Sequence, residues 1–358
     1  MCIVSDVKKF ARTTIARYLL AHGEEDYPEA LIAGLRELGV FGASIPREYG
    51  GRDLGPRDIA YIMYELARGW QPLAGLVGTH GKLCREVLRH GTPHQKSWLL
   101  PPMARGELIC ARAYHERGSN DPELLESRIE YRGGTGVLRG HKDWVTNARN
   151  ADRIIAIARG GTITQAVVVD PSRPGIRIGD ELPRPGMRGV SLAAVDFAGY
   201  EFDPERDVLG GPECDVTGSA RGHDMTGYAT RALGSADATH AWLREFVRHS
   251  LGKFPPEVQG AIRLRVGEVS TQVSVMRAVW RDLMSSPPGI SADEAKIFCS
   301  ATLQKVISAA SALCGGAGYA GEDATLTRHY RDALALQIIG APNDALLSRV
   351  GTRAIMEE

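Results

Sequence analysis

The sequence predicts an α+β protein in which a helical region, a β domain and a second helical region follow one another. Three observations support this order. Apolar residues repeat at helical spacing in the first hundred residues, short Val- and Ile-rich runs follow, and a long helix rich in small residues stands near the end. We place the three domains at residues 1–108, 109–210 and 211–358.

The first region is predicted to be helical throughout. Leu31, Leu35 and Leu38 repeat at helical spacing, and so do the apolar residues of the segment 59–66. The tetrapeptide TPHQ at residues 92–95 has the spacing of a capping box, with proline at the first helical position. We expect it to begin a helix that runs toward Met103.

The middle region is predicted to be an antiparallel β domain. Its strands are expected in three apolar runs, at residues 154–158, 166–169 and 191–197. Turn residues separate such runs and cluster at residues 133–134, 160–161 and 170–172.

Helices are expected to return after a loop or helix entrance at residues 211–226. Residues 291–294, SADE, form a second capping box before the helix AKIFCSATLQKVISAASAL. Its small residues would let helices approach closely, as in a tight bundle or a subunit interface.

Composition excludes several functional classes. The chain carries 43 basic and 43 acidic residues, so no field of one sign favours nucleic acid or an anionic membrane. Its apolar runs are shorter than a membrane span, and the N-terminus lacks the pattern of a secretory signal. The six cysteines are scattered without a CxxC pair, which predicts reduced thiols, a cytoplasmic location and no metal site.

Six segments in this order resemble signatures of the acyl-CoA dehydrogenase family. They are LGVFGASIPREYGGRDLG (38–55), GTPHQKSWLLPPMARGEL (91–108), GHKDWVTNARNADRIIAIA (140–158), RPGMRGVSLAAVDF (184–197), CGGAGYAGE (314–322) and RHYRDALALQI (328–338). The chain resembles the compact branch that acts on acyl carrier proteins in secondary metabolism. The resemblance implies an N-terminal helical domain, a middle β domain and a C-terminal four-helix bundle. It also implies FAD as cofactor, bound between the last two, and a homodimer or homotetramer in which one subunit contacts its neighbour's FAD.

The resemblance assigns FAD contacts to several residues. Trp144 and Thr146 match the W-x-T motif, in which the ring packs on the isoalloxazine and the hydroxyl bonds a flavin edge; the alternative is a Trp in the core. Arg248 and Gln259 match residues near the pyrophosphate, and an Arg can donate two parallel bonds to that group. A surface Arg on a bundle helix is the alternative for Arg248.

Among the remaining expected cofactor contacts, two glycines match the family pattern and one residue departs from it. Gly315 and Gly316 would let the backbone approach the adenosine half of a neighbouring subunit's FAD. The family's Gln just before them is Ala312 here. Asn343 stands where the family has a hydroxyl residue that touches the cofactor.

A loop that carries chemistry in the family is also altered. The segment YHERGSND at residues 114–121 is one residue short and lacks the family's proline. Glu116, Ser119 and Asp121 match it best, and His115 or Tyr114 replaces the hydroxyl residue near the flavin or the substrate. Sequence drift in a surface loop is the alternative.

The usual catalytic base is missing. Oxidising an acyl thioester requires a group that removes the α-proton, and in most of the family this is a Glu whose position falls on Gly340. Some branches carry the base near the start of the first long bundle helix, which makes Asp224 the candidate here. Asp224 could instead be the N-cap of that helix. His115 and His223 could also move protons near neutral pH.

Three functions remain open at this point. The first is an FAD-dependent dehydrogenase that oxidises an acyl thioester on CoA or an acyl carrier protein in a biosynthetic pathway. The second is a flavin-dependent monooxygenase of the same fold, which needs no α-proton base. The third is a redox-neutral or non-oxidising family member.

Overall fold

The computed structural model describes residues 3–118, 121–221, 225–320 and 324–356. Six helices form the N-terminal region: α1 (Ile3–Phe10), α2 (Ala16–His22), α3 (Glu29–Glu37), α4 (Pro56–Gly69), α5 (Gln71–His90) and α6 (Pro93–Arg105). A π-helical turn, Ala11–Ile15, joins α1 to α2. The predicted capping box at α6 is present, because Thr92 accepts from the Gln95 N–H while the Gln95 side chain accepts from the Thr92 N–H.

The middle region is a seven-stranded sheet. Its strands are β1 (Cys110–Ala113), β2 (Arg128–Arg132), β3 (Thr135–Thr146), β4 (Arg153–Gly160), β5 (Ile163–Val169), β6 (Ile176–Ile178) and β7 (Leu192–Phe202). The strand order is β1-β4-β2-β3-β7-β6, with β5 also paired to β4. Most pairs are antiparallel, as predicted, but β1 and β2 run parallel to β4.

Helices return after the sheet. They are α7 (Pro204–Asp207), α8 (Thr217–Arg221), α9 (Met225–Ser250), α10 (Pro256–Leu283), α11 (Ala292–Cys314), α12 (Gly316–Ala320), α13 (Thr325–Leu336) and α14 (Asn343–Met356). The capping box at Ser291 and Glu294 is present at the start of α11. Helices α9, α10, α11 and α13 share one apolar core, which makes the C-terminal part a helical bundle.

Helix α11 is long and rich in apolar residues. Among the described residues it is the one helix long and apolar enough to cross a membrane. Its buried residues, among them Leu303 and Val306, pack in the same core as those of α9 and α10. The core helix of a helical bundle can have the same length and apolar composition as a membrane-spanning helix.

One buried amide joins the N-terminal helices to the end of the sheet. Gln95 is fully buried, and its Nε2 donates to the carbonyl oxygen of Val208 at 2.6 Å and of Arg206 at 3.1 Å. Its Oε1 accepts from the backbone N–H groups of Thr92 and Gly210, each at 2.9 Å. The amide therefore fixes how α6 meets the segment that leads out of the sheet.

Replacing this amide should destabilise the protein. Gln95→Met leaves several buried backbone groups without a partner, so we expect the free energy of unfolding to fall by about 3 kcal/mol. Denaturant unfolding measures this change. The matched control is Gln304→Met, because the buried Nε2 of Gln304 has no hydrogen-bond partner, and we expect a change within about 1 kcal/mol. Equal effects of the two substitutions would contradict the assigned role of Gln95.

Candidate functional site

A buried ion pair fixes residues 114–118, which we name the rim loop, against β3. Lys142 is fully buried, and its Nζ lies 2.7 Å from Oε1 of Glu116. The Glu116 carboxylate also accepts from the backbone N–H groups of Glu126 at 2.5 Å and Ser127 at 3.0 Å. Both carboxylate oxygens are thus engaged within the protein. Glu116, predicted as a cofactor contact, is placed to hold the rim loop.

The charge of this pair follows from its surroundings. Burial alone would raise the pKa of the Glu116 carboxyl, but the Lys142 ammonium and the N–H donors outweigh burial and lower it. The carboxylate is therefore ionised at neutral pH, and the pair holds the loop through charge-assisted hydrogen bonds.

The next residues of β3 form a bulge that presents Trp144. The pairing of β3 with β7 shifts register between Lys142 and Val145. In the bulge, the Asp143 N–H donates to the carbonyl oxygen of His115 at 2.8 Å, which ties the bulge to the rim loop. Trp144 has a φ of 52° and is 48% exposed. The alternative of a Trp packed in the core is therefore wrong.

The backbone conformation of Trp144 indicates a functional constraint. A left-handed φ is unfavourable for a bulky side chain and persists where the surrounding structure enforces it, which happens most often at binding sites. The indole face remains available to a planar group. Thr146, two residues on, is the last residue of β3 and is partly buried.

Tyr114 and His115, the two candidates in the rim loop for the family's hydroxyl position, differ in burial. The Tyr114 ring is buried, at 1% exposure, and the guanidinium of Arg112 lies 4.3 Å from its centroid. This placement corrects the expectation that Tyr114 replaces the family's hydroxyl at the cofactor. The His115 ring packs edge-on against Tyr114 and is only partly buried, so His115 keeps that candidate role.

Gly340, where the sequence resemblance places the family's base, packs against an aromatic ring. Gly340 has a φ of 78°, and a Cβ there would lie 2.2 Å from Cε2 of Tyr228 on α9. Arg231, one turn further along α9, is buried with its guanidinium carbon 5.7 Å from the Tyr228 centroid. Its Nε donates to Oε1 of Gln71 on α5 at 3.0 Å. A side chain at residue 340 would require the Tyr228 ring to move and would have to adopt a left-handed backbone conformation.

Asn343 is held by α11. Its Oδ1 accepts from Nζ of Lys296 at 2.7 Å, and its Nδ2 donates to Oγ of Ser300 at 3.0 Å. Both ends of the amide are therefore engaged inside the protein. Any effect of Asn343 on a cofactor site would therefore be indirect, through the position of the backbone around residue 343.

The remaining predicted residues lie elsewhere in the C-terminal domain. Arg248 is exposed beside Glu245, and Gln259 donates to the carbonyl oxygen of Phe254 at 3.0 Å, both near the turn between α9 and α10. The surface interpretation of Arg248 stays open. Gly315 has a φ of 54°, and a Cβ at Gly315 or Gly316 would meet no atom within 4 Å. The two glycines therefore face open space.

Some predicted residues cannot be assigned a position. Ser119, His223 and Asp224 lie outside the described residues. Asp121 is described, and its Oδ1 accepts from the backbone N–H of Glu123 at 3.1 Å, as the N-cap of a short 3₁₀ turn.

A separate cleft of about 310 Å³ lies between residues 25–27 and the loop 181–191. Its arginines are already engaged, since Arg188 pairs with Glu25 and Arg184 donates to the Val190 carbonyl oxygen. None of the predicted cofactor residues in the described part of the chain lines it. The same part of the chain contains no cluster of three or more side chains suited to a metal ion.

Sequence reasoning missed three residues that shape the site. Lys142 lies within GHKDW (140–144), in one of the six segments that resemble the family. Lys296 is a lone cation in an otherwise apolar stretch of α11, and that signal could have identified it as buried and functional. Tyr228 carries no sequence signal, because its role depends on the distant glycine that it contacts.

Comparison with known proteins supports one family over nearly the whole chain. The acyl-CoA dehydrogenase N-terminal, middle and C-terminal domain models match residues 2–107, 115–199 and 222–355. Benzylmalonyl-CoA dehydrogenase of Aromatoleum aromaticum is 28% identical over 339 residues, which cover 89% of this chain and 88% of that protein.

Solved structures agree in fold. Butyryl-CoA dehydrogenase from Megasphaera elsdenii superposes with a TM-score of 0.86 at 23% identity, covering 99% of this chain and 98% of that one. The prolyl acyl carrier protein oxidase AnaB gives a TM-score of 0.86 at 21% identity, with coverage of 99% and 98%.

The residues present fit a flavin. An exposed indole on a strained bulge offers a flat apolar face to a planar ring system, and the open space above Gly315 and Gly316 admits close backbone approach. With the three matching domains and the fold, this leads to one conclusion. The chain belongs to the acyl-CoA dehydrogenase family, and it is a flavin-dependent oxidoreductase with FAD as its cofactor.

Proposed function

We propose that this protein oxidises an acyl thioester, carried on CoA or on an acyl carrier protein, with a base that is not residue 340. Residue 340 is a glycine with no proton-accepting side chain, and its left-handed backbone packs against the Tyr228 ring; this observation supports the second half of the proposal. The first half is supported by the family and by the names of similar proteins, which include a benzylmalonyl-CoA dehydrogenase and a prolyl acyl carrier protein oxidase. A biosynthetic pathway is the setting that we propose.

Different residues of the protein would orient the flavin, position the rim loop and remove the α-proton. FAD, when bound, accepts the β-hydrogen of the acyl group together with its electron pair. Trp144 would orient the flavin through its exposed ring, and the Lys142–Glu116 pair would keep the rim loop in place beside it. Asp224, immediately before the first described residue of α9, would remove the α-proton, with His115 as the second candidate.

The space next to residue 340 favours a small and polar acyl group. The Tyr228 ring occupies the volume above Gly340, and the buried guanidinium of Arg231 lies beside that ring. Nη2 of Arg231 also lies 3.2 Å from where a Cβ would stand on Gly75 of α5. An aromatic ring and a guanidinium offer little room for a long alkyl chain and can donate hydrogen bonds to a polar one.

We also propose that the protein works as a homodimer or homotetramer. Several large apolar side chains are exposed on the helices of the C-terminal bundle and on the segment after α13: Leu264, Val275, Ile338, Leu347 and Ile355. Contact between subunits would cover these side chains, and the family resemblance implies such an assembly.

Asp224→Asn should retain FAD and lose thioester oxidation. Removing the base should lower the rate of flavin reduction by an acyl thioester about 100-fold or more, because general base catalysis contributes roughly 10²–10⁴-fold. Anaerobic stopped-flow absorbance measures this rate, and the flavin absorbance before mixing confirms that FAD is bound. His115→Gln is the matched variant at the second candidate base.

An unchanged rate in Asp224→Asn, with a large loss in His115→Gln, would transfer the role of base to His115. Full rates in both variants would contradict an α-proton base at either position, and Asp224 would then be assigned to capping.

Gly340→Ala should be poorly tolerated. Its Cβ would overlap the Tyr228 ring at a left-handed φ, so we expect a loss of about 2 kcal/mol or more in the free energy of unfolding of the FAD-bound protein. The control is Gly267→Ala within α10, where a Cβ meets no atom within 4 Å; there we expect a gain of up to about 1 kcal/mol. A Gly340→Ala protein as stable as the original would show that Tyr228 does not close this position.

A further inference from the structure

Lys296 is a buried lysine near the start of α11, with none of its surface exposed. Its Nζ donates to the carbonyl oxygen of Gln337 at 3.1 Å and of Ala341 at 2.8 Å, and to Oδ1 of Asn343 at 2.7 Å. Three acceptors match the three N–H bonds of an ammonium group. All three belong to the segment that runs from the end of α13 to Asn343, the first residue of α14, and we name this segment the 337–343 loop.

The same loop is fixed at further points. Ser300, one turn after Lys296, accepts from Nδ2 of Asn343 at 3.0 Å. The backbone N–H of Asn343 donates to the Gln337 carbonyl oxygen at 3.0 Å, which closes the loop on itself. Gly340, within it, lies against the Tyr228 ring of α9. The loop is therefore held between two helices of the bundle.

Burying an ammonium group has a cost that burying an apolar side chain does not have. Removing such a charge from water costs several kcal/mol, and hydrogen bonds recover that cost only where their geometry is good. Leu or Met could fill the same volume without this cost. The ammonium group in addition fixes the loop, because two carbonyl groups and one amide oxygen must all lie within hydrogen-bond distance of the same nitrogen.

The charged groups around Lys296 do not replace these acceptors. Asp293, at the start of α11, is the nearest carboxylate to act on it, but Asp293 pairs with Arg349 of α14 at 3.1 Å and with Arg353 at 3.8 Å. Tyr228 faces the loop from α9. Burial lowers the pKa of Lys296 to about 8, although the charge of Asp293 acts in the opposite direction.

We propose that Lys296 is a positioning residue of the flavin site, whose ammonium group sets the 337–343 loop and through it the wall of the site at Gly340 and Asn343. This inference rests on the proposed function and on the family resemblance, which assigns residue 340 to the position of the base and residue 343 to a cofactor contact. Lys296 touches neither of them and acts through the loop.

Two properties of the protein should then change with pH in opposite directions. Above a pH of about 8 the amine loses a proton and can no longer satisfy all three acceptors, so FAD affinity should fall. The contribution of Lys296 to stability should rise. Its pKa is lower in the folded protein than the unperturbed value of about 10.4, so between these two values the unfolded chain binds more protons and the free energy of unfolding increases with pH. A purely structural role would move stability and FAD affinity together.

The first test compares Lys296→Met with Lys305→Met, a matched control because Lys305 is exposed on the same helix. Release of FAD from the purified protein is followed by flavin fluorescence from about pH 6 to about pH 10. We expect Lys296→Met to bind FAD at least about tenfold more weakly at neutral pH, since a hydrogen bond to a charged group contributes about 1.5–3 kcal/mol and 1.4 kcal/mol is tenfold. We also expect the FAD affinity of Lys296→Met to show no decrease at alkaline pH. Lys305→Met should keep both the original FAD affinity and its decrease at alkaline pH.

The second test is Asn343→Asp, which places a carboxylate against the Lys296 ammonium and remains informative if Lys296→Met fails to fold. The added charge raises the pKa of Lys296, so the alkaline fall in FAD affinity should move to higher pH. A fall that stays where it was, or a Lys296→Met protein with the original affinity and pH profile, would overturn the proposal. No thioester enters these measurements, so a protein that binds FAD in this pH-dependent way but is not reduced by thioesters would refute the proposed function alone.

Discussion

The burial of lysine ammonium groups is the constraint on which the predicted flavin site depends. Lys142 holds the rim loop against β3 through Glu116, and Lys296 holds the 337–343 loop through two carbonyl groups and Asn343. Each ammonium is fully buried and must be satisfied by several acceptors at once. A loop that supplies those acceptors has few alternative conformations. The two loops that border the site in the middle and C-terminal domains are therefore fixed by the same physical requirement.

Gly340 is one of several positions at which this sequence departs from the family pattern. Glycine is favoured there because the backbone is left-handed and the Tyr228 ring lies against it. A carboxylate side chain at this position would require the ring to move. Arg231 lies beside the same ring. Our proposal of a small polar acyl group rests on these two side chains.

The order of helices and strands could be predicted from the sequence because it depends on local signals. The capping boxes at residues 92–95 and 291–294 and the apolar runs of β4, β5 and β7 each lie within a short stretch of chain. The resemblance predicts a Trp144 ring that faces the cofactor, but the bulge that presents it could not be predicted, because it depends on how β3 pairs with both β7 and the rim loop. Tyr114 was misjudged for a similar reason: whether a ring in a loop is buried depends on Arg112 and on helices far away in sequence. The assignment of Asp224 as the base remains a prediction.

The most direct test of the account is an absorbance spectrum of the purified protein, taken without oxygen before and after addition of a short polar acyl thioester. The account predicts an oxidised flavin band in the protein as purified, and bleaching of that band on addition, with an acyl product that has lost two hydrogens. A flavin band that remains oxidised with every thioester tested would contradict the central claim that this site oxidises acyl thioesters without a base at residue 340.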